Sequence, residues 1–434
     1  MYRKALKELK KWKKSSDRKP LILRGARQVG KTWLLQEFGK TNYKSVAYVS
    51  LENNERVKGL FDLDFDAKRI IDGIELATNT KITPGETLVI LDEIQECPKA
   101  ITALKYFSED APEYHIAVAG SLLGITLHEQ VSFPVGKVNF LDIHPLDFSE
   151  FLIATGKDKL AEAISKHDFT SILPFHEQIV DCLKTYLITG GMPAVVKNYL
   201  DEGNLLGTRR IQNDIIQAYE NDFSKHAPKN VLPRIQEIFN ILSAQLAKEN
   251  KKFIFRMIRE GARAKDYEMA LIWLEDAGIV KRITRVNKAH LPLSVYADKD
   301  IFKLYMVDIG LLGAKVGLAP QTVLDGNELF IEFKGAMAEQ FVFQELYSTG
   351  ILPFYYAKDN SKGEIDFITD KNGVLVPIEV KSSKNTTSAS LKNLLEHNTS
   401  IECGIKLSLL PYKDNGNIKN LPLYCAAAIG DLPF

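Results

Sequence analysis

Short, wholly apolar runs alternate with amphipathic stretches over residues 20–150. Four of the runs predict strands, at 21–24, 46–51, 88–91 and 115–119. Apolar strands that lack alternating polar positions are typical of parallel sheets covered by helices on both faces. This part of the chain is therefore predicted to be an α/β domain built on a parallel sheet.

Helical periodicity replaces the strands after about residue 155. It runs through 160–165 and 178–188, stops at Gly190-Gly191-Met192-Pro193, and resumes at 205–223. Two further helices are predicted, and then strands. The helices cover 232–249 and 265–278, and the strands cover 279–283, 294–297 and 304–307. Two helices followed by a β-hairpin are the order of a winged helix.

Mixed α/β character returns over residues 331–434. A helix is predicted at 335–346, strands at 353–357, 363–368 and 374–381, a helix at 389–397, and then two strands, one of them at 405–409.

Composition narrows the class of protein. A length of 434 residues suggests about three domains, and 45% hydrophobic with 26% charged residues is ordinary for a folded chain. The net charge of +1 excludes a nucleic-acid coat protein but not a local basic patch.

Apolar runs such as 88–91 are too short to span a bilayer, and no apolar segment follows the basic N-terminus, so we expect a cytoplasmic protein without membrane contact. The four cysteines form no CxxC pair, which argues against a zinc ribbon or a disulfide scaffold.

A glycine-rich loop follows the first predicted strand and precedes a helical pattern. Its residues fit GxxxxGK[ST] and are Gly25, Ala26, Arg27, Gln28, Val29, Gly30, Lys31 and Thr32. Such a loop wraps phosphate with backbone N–H groups at a helix N-terminus. Lys31 is predicted to contact the β- and γ-phosphates of ATP, and the Thr32 hydroxyl to bind Mg²⁺.

Two acids end the third strand, and a serine follows the fourth. Asp92 is predicted to hold the Mg²⁺ shell, and Glu93 to orient or deprotonate the attacking water. Ser121 lies where a polar residue between water and γ-phosphate is often placed, although a turn serine is an equal alternative. Sites of open α/β sheets lie at the carboxyl ends of strands, so these residues are expected together.

Several short motifs stand out along the chain. They are GARQVGKT, LVILDEIQ, AGSLLG, SFPVGKV and HPLDFSEFL, and later GGMPAVV and KLYMVDIGLL. Together they resemble the prokaryotic AAA+ ATPases of the AAA/DUF4143 family. The resemblance implies an AAA+ core, a helical lid, a winged-helix-like segment and a C-terminal nuclease-like domain. It also raises the possibility of a homo-oligomer. Relatives usually carry Arg where this chain has Lys137. Lysine keeps the charge but loses the bidentate fork of an arginine finger, so a surface role for Lys137 is an equal alternative.

Basic residues accompany the predicted winged helix. They are Arg256, Arg259, Arg263, Lys265, Lys281, Arg282, Arg285 and Lys288. Nucleic-acid phosphates are a natural partner for such a stripe, and a protein partner is an equal alternative.

Two carboxylates and a lysine stand on neighbouring predicted strands near the C-terminus. Glu379 and Lys381 share a face, and Asp366 on the adjacent strand can join them in a site for Mg²⁺. The pattern resembles the PD-(D/E)xK nuclease superfamily, which implies that Asp366, Glu379 and Lys381 take part in cleavage and that Glu339 adds a metal ligand from the preceding helix. A half-exposed ion cluster, or an inactive remnant, is the alternative.

Together these patterns predict four segments. Residues 1–155 form the AAA+ core, 156–228 the lid, 229–330 the winged-helix-like segment and 331–434 the restriction-endonuclease-like α/β domain. The predicted function is ATP binding and hydrolysis coupled to a nuclease-like module that acts on DNA or another nucleic acid. The alternative is a nucleotide-gated protein-interaction switch whose C-terminal module does not cleave.

Overall fold

The computed structural model describes residues 1–120, 133–246, 252–325, 328–358, 363–382 and 388–431, with the backbone alone for 325, 328–333 and 431. The chain divides into two compact units. The first comprises Met1–His144 with Asp276–Ile279, and the second comprises Pro145–Glu275 and the chain from Val280 onward.

The first unit contains a parallel sheet of five strands. They are β1 Leu21–Arg24, β2 Ser45–Ser50, β3 Thr87–Asp92, β4 His115–Ala119 and β5 Asn139–Asp142. Their spatial order is β2-β3-β4-β1-β5. The strands β3 and β4 are buried at every position, because helices cover both faces of a parallel sheet. The predicted α/β core with a parallel sheet is confirmed, while β5 was missed because its positions alternate between half-buried and exposed.

Outside residues 121–132, the helices described in this unit are Ala5–Lys14, Lys31–Asn42, Glu55–Lys58, Leu60–Leu63, Ala67–Thr78 and Pro98–Asp110, with a 3₁₀ turn at Ile94–Glu96. An apolar core that includes Ile22, Val89 and Ile101 packs between sheet and helices.

Helices dominate the first part of the second unit. They are Phe148–Ala154, Asp158–Ser165, Phe169–Ile172, His176–Thr189, Pro193–Glu202, Leu205–His226, Leu232–Leu246 and Ala264–Asp276, with 3₁₀ turns at Leu173–Phe175 and Phe255–Met257. Later helices are Ile309–Lys315, Pro320–Asp325, Glu328–Ser348 and Ala389–His397, with a 3₁₀ helix at Leu423–Asp431.

An eight-stranded sheet forms the rest of the second unit. Its strands are β6 Val280–Val286, β7 Ala297–Met306, β8 Phe354–Ala357, β9 Glu364–Lys371, β10 Val374–Val380, β11 Gly404–Ser408, β12 Lys413–Asp414 and β13 Ile418–Pro422. The order is β12-β13-β11-β10-β9-β8-β6-β7. The hairpin β6–β7 therefore belongs to the same sheet as the C-terminal strands, through parallel pairing of β6 with β8.

One predicted strand is wrong. Residues 294–297 were expected to be extended, but Leu293–Tyr296 is a 3₁₀ turn and β7 begins at Ala297. Apolar Leu293 and Val295 mimic the alternation of a strand, whereas Pro292 starts the turn.

Candidate nucleotide site and C-terminal acid cluster

The loop after β1 has the backbone geometry that phosphate binding requires. Gly25 has φ +141°, and a Cβ there would lie 2.1 Å from the Ile143 carbonyl oxygen, so this position excludes side chains. Gln28 is in the left-handed region at φ 68°. Gly30 directly precedes the helix Lys31–Asn42, whose first N–H groups therefore point at the loop.

Lys31 lies inside this loop and is almost fully buried. Its Nζ donates to the carbonyl oxygens of Gly25 at 2.9 Å and Ala26 at 2.7 Å. Burial lowers the pKa of Lys31 to about 8, against the opposing effect of the Glu93 and Asp92 carboxylates. The side chain is thus a poorly solvated cation that an anionic ligand would stabilise.

Thr32 and Asp92 meet across the site. Thr32 Oγ1 donates to Asp92 Oδ2 at 2.8 Å, and the Tyr48 hydroxyl donates to the same oxygen at 3.0 Å. Burial raises the pKa of Tyr48 to about 12, and the neighbouring Asp92 carboxylate adds to this effect. A hydroxyl and a carboxylate are hard oxygen donors, so this pair suits Mg²⁺ bound together with a nucleotide phosphate.

Glu93 occupies a strained backbone position beside Asp92. Its φ of 51° is left-handed, and its N–H donates to Asp92 Oδ1 at 3.0 Å. The Gln95 amide donates to Glu93 Oε2. A non-glycine residue in this region costs on the order of 1 kcal/mol and is often found at functional sites.

Arg3 is a contributor that sequence reasoning missed. It is buried, and its guanidinium donates to the carbonyl oxygens of Val29 at 2.9 Å and His144 at 2.6 Å. The basic N-terminal segment therefore supports the phosphate loop. No motif signals it, because the two carbonyls belong to backbone that is distant in sequence.

Two predicted residues of this unit remain without a described role. Ser121 lies outside the described residues. Lys137 pairs with Glu109 at 2.9 Å, and both side chains are partly exposed.

The predicted C-terminal acids lie on β9, on β10 and on the helix Glu328–Ser348, and a lysine of β7 lies close to one of them, Glu339, and to Glu364. Lys303 of β7 is fully buried, with Nζ 2.5 Å from Glu364 Oε1 and 3.6 Å from Glu339 Oε2. Burial opposes its charge, yet Glu339 and the neighbouring acids raise the pKa of Lys303 well above its usual value. Sequence reasoning missed Lys303 because it lies far upstream of the motif.

The three motif residues are engaged with their neighbours. Asp366 Oδ2 accepts from the Val380 N–H at 2.7 Å, and Lys381 Nζ lies 2.7 Å from Glu379 Oε1. Among the described residues, no group of three His, Cys, Asp or Glu side chains is arranged to hold a metal ion.

Asp308 joins two of the motifs that carry the family resemblance. It is fully buried, accepts from the Gly191 N–H at 2.6 Å, and caps the helix Ile309–Lys315 through the Leu311 N–H. Burial raises the pKa of Asp308 to about 6. The GGMP turn and the KLYMVDIGLL segment are therefore one structural unit.

Two of the basic residues near the predicted wing are already in ion pairs. Arg282 pairs with Glu275 at 2.6 Å and Glu268 at 3.0 Å, and Arg285 pairs with Asp298 at 2.8 Å. No helix in the described part of the chain is long and apolar enough to cross a membrane.

A phosphate loop that joins β1 to a helix, at the carboxyl edge of a parallel sheet, defines a P-loop nucleotide-binding domain. Residues 17–152 match the family model named AAA domain, 180–322 match a domain of unknown function, DUF8612, and 334–426 match another, DUF4143. The chain thus combines an AAA domain with a DUF4143 domain, which confirms that part of the resemblance. The match over residues 17–152 supports an ATP-binding domain of the P-loop class.

Solved structures resemble the chain only weakly. A Walker-type ATPase of Pyrococcus abyssi is 15% identical over 71% of this chain and 95% of its own, with a TM-score of 0.46. AMPPCP-bound DnaA from Aquifex aeolicus is 15% identical over 61% and 73%, with a TM-score of 0.27. Aeropyrum pernix ORC1 in complex with DNA is 12% identical over 74% and 92%, with a TM-score of 0.26. No curated protein matches the sequence.

Proposed function

We propose that this protein binds ATP in the loop between β1 and the helix Lys31–Asn42 and hydrolyses it with the acids that end β3. The observation that carries the proposal is the 2.8 Å hydrogen bond between Thr32 and Asp92. These side chains are sixty positions apart in the sequence. Their contact supports the proposal because it brings the glycine-rich loop and the acids that end β3 to one edge of the sheet, where a nucleotide with Mg²⁺ would need them.

Each side chain has a role that its surroundings support. Phosphate oxygens would replace the carbonyls of Gly25 and Ala26 as partners of the Lys31 ammonium. Thr32 and Asp92 would hold Mg²⁺, which supplies charge neutralisation at the phosphates. Glu93 would orient the attacking water and accept its proton. The role of Ser121 beside the γ-phosphate stays a prediction from the sequence.

The test separates binding from hydrolysis. Lys31→Ala should abolish ATP binding, because the loop then lacks its cation. Glu93→Gln should keep ATP affinity and lower turnover by about 10²-fold or more, since general-base assistance is lost while the shape is kept. Equilibrium titration with a fluorescent ATP analogue and steady-state phosphate release measure the two effects.

Matched controls are available in the same elements. Lys40→Ala removes an exposed lysine from the helix that begins at Lys31, and Glu96→Gln removes a carboxylate from the 3₁₀ turn that follows Glu93. Both controls should behave as wild type. Unchanged ATP affinity in Lys31→Ala, or full turnover in Glu93→Gln, would refute the assignment.

A second candidate concerns the partner that the ATPase serves. Arg282 and Arg285 are held in ion pairs within the chain, which favours a nucleotide-gated protein interaction over phosphate binding at β6. The ATPase rate should then be insensitive to added DNA. Stimulation by DNA that weakens steeply as salt rises would instead support the predicted nucleic-acid partner.

A further inference from the structure

The acid cluster of the second unit contains a cation, Lys303, that lies outside the motif formed by Asp366, Glu379 and Lys381. The cluster comprises Glu339, Glu364, Asp366 and Glu379. The Lys303 ammonium lies between two of its members, 2.5 Å from Glu364 Oε1 and 3.6 Å from Glu339 Oε2. The lysine has no exposed surface, and its Nζ also lies 4.9 Å from the centroid of the Tyr355 ring.

We propose that Lys303 takes the place of a divalent metal in the acid cluster, so that the C-terminal domain is a metal-independent module that does not cleave phosphodiesters. The proposal goes beyond ATP hydrolysis and is independent of it. A metal ion that shared these carboxylates would have to lie beside a fixed ammonium. Like charges repel strongly at such separations when water is excluded.

The charge balance within the sheet supports the proposal. Lys381 pairs with Glu379 at 2.7 Å, and Lys406 stands opposite Glu379 in the β10–β11 register and is buried. With Lys303, three lysines therefore face the four carboxylates of the acid cluster. Carboxylates that already have cationic partners gain less from a bound divalent ion than unpaired carboxylates do.

The individual oxygens of the motif acids lead to the same conclusion. Asp366 Oδ2 accepts from the Val380 N–H at 2.7 Å, and Glu339 Oε2 lies 3.3 Å from the Tyr305 hydroxyl that donates to it. Glu379 Oε2 is buried without a hydrogen-bond partner. Hydrogen-bond donors and cations therefore already engage oxygens of the motif acids, whereas Mg²⁺ requires near-octahedral oxygen ligands and several waters.

Metal binding tests the proposal directly. Electron paramagnetic resonance of the full chain without nucleotide counts bound Mn²⁺ in wild type and in the double variant Asp366→Asn/Glu379→Gln. We expect equal Mn²⁺ binding in both, and no Mg²⁺-dependent cleavage of plasmid or single-stranded DNA. An additional Mn²⁺ in wild type that the double variant loses, or cleavage that Glu379→Ala abolishes, would overturn the proposal.

Removal of the cation provides the opposite test. Lys303→Met keeps the length of the side chain but frees the carboxylates, so it should raise Mn²⁺ affinity at least tenfold. Lys303→Arg keeps the charge and should not. Lys299→Met, an exposed change on the same strand, is the control. A folded Lys303→Met protein without increased affinity would contradict the proposal, and if this variant does not fold, the comparison of wild type with the double variant decides.

Discussion

The pKa of Lys31 depends on the groups that surround its side chain. The loop removes the ammonium from water, which lowers the pKa of Lys31 to about 8, while the Glu93 and Asp92 carboxylates partly offset that effect. The residue is therefore largely protonated at neutral pH and largely neutral one pH unit above its pKa. Binding of phosphate oxygens favours the charged form and must raise the pKa.

The lowered pKa of Lys31 determines how ATP binding should change with pH. ATP binding should take up protons in proportion to the neutral fraction of Lys31, so uptake grows and affinity weakens as pH rises above about 8. Calorimetric titrations with ATP in two buffers of different ionisation enthalpy measure the uptake. Lys31→Arg stays charged and should show none. Equal uptake in that variant would place the titrating group elsewhere.

At the scale of elements, the turn at Gly190 and the helix Ile309–Lys315 depend on each other through Asp308. A Cβ on Gly190, whose φ is +66°, would lie 2.2 Å from Asp308 Oδ1. Gly203 has nearly the same φ, +65°, but nothing lies within 4 Å of a Cβ there. A comparison of alanine substitutions at these two glycines therefore separates the cost of backbone strain from the cost of a steric clash.

We expect Gly203→Ala to lower the free energy of unfolding by about 1 kcal/mol, the cost of a left-handed alanine. Gly190→Ala should cost about 3 kcal/mol or more, because the added methyl displaces the buried carboxylate from the N–H groups that it caps. Urea denaturation of both variants measures the difference. Equal losses would mean that Asp308 moves aside without consequence.

Local and distant contacts differed in how well the sequence revealed them. The boundaries of β1 and β4 and the chemistry of the loop Gly25–Thr32 were predictable because each depends on consecutive residues. Lys303 and Arg3 were not, since their partners lie far along the chain and belong to different elements. The strand β5 was missed because its inward positions are only half-buried.

At the scale of the whole molecule, each unit has its own sheet and its own apolar core. One core includes Ile22 and Val89, and the other includes Val286, Ile365 and Ile368. Separate cores allow separate unfolding transitions, so one midpoint does not describe such a chain.

Scanning calorimetry should therefore resolve two transitions, of which ATP with Mg²⁺ shifts one. A ligand at about 100 times its Kd stabilises the unit that binds it by about 2.7 kcal/mol. Lys31→Ala should remove that shift and leave the other transition in place. A single transition that ATP with Mg²⁺ shifts as a whole would show that the units unfold together.

The pairing of β6 with β8 has a consequence for dissecting the chain. A fragment cut at the start of the DUF4143 match, residue 334, would lack β6 and β7 and would leave β8 as a bare edge. Its acids would also lose Lys303 as a counter-ion. Such a fragment would expose an unpaired strand and would leave Glu339 and Glu364 without their buried cation, and aggregation would be its expected fate. The boundary drawn by sequence families is thus not a boundary at which the protein can be divided.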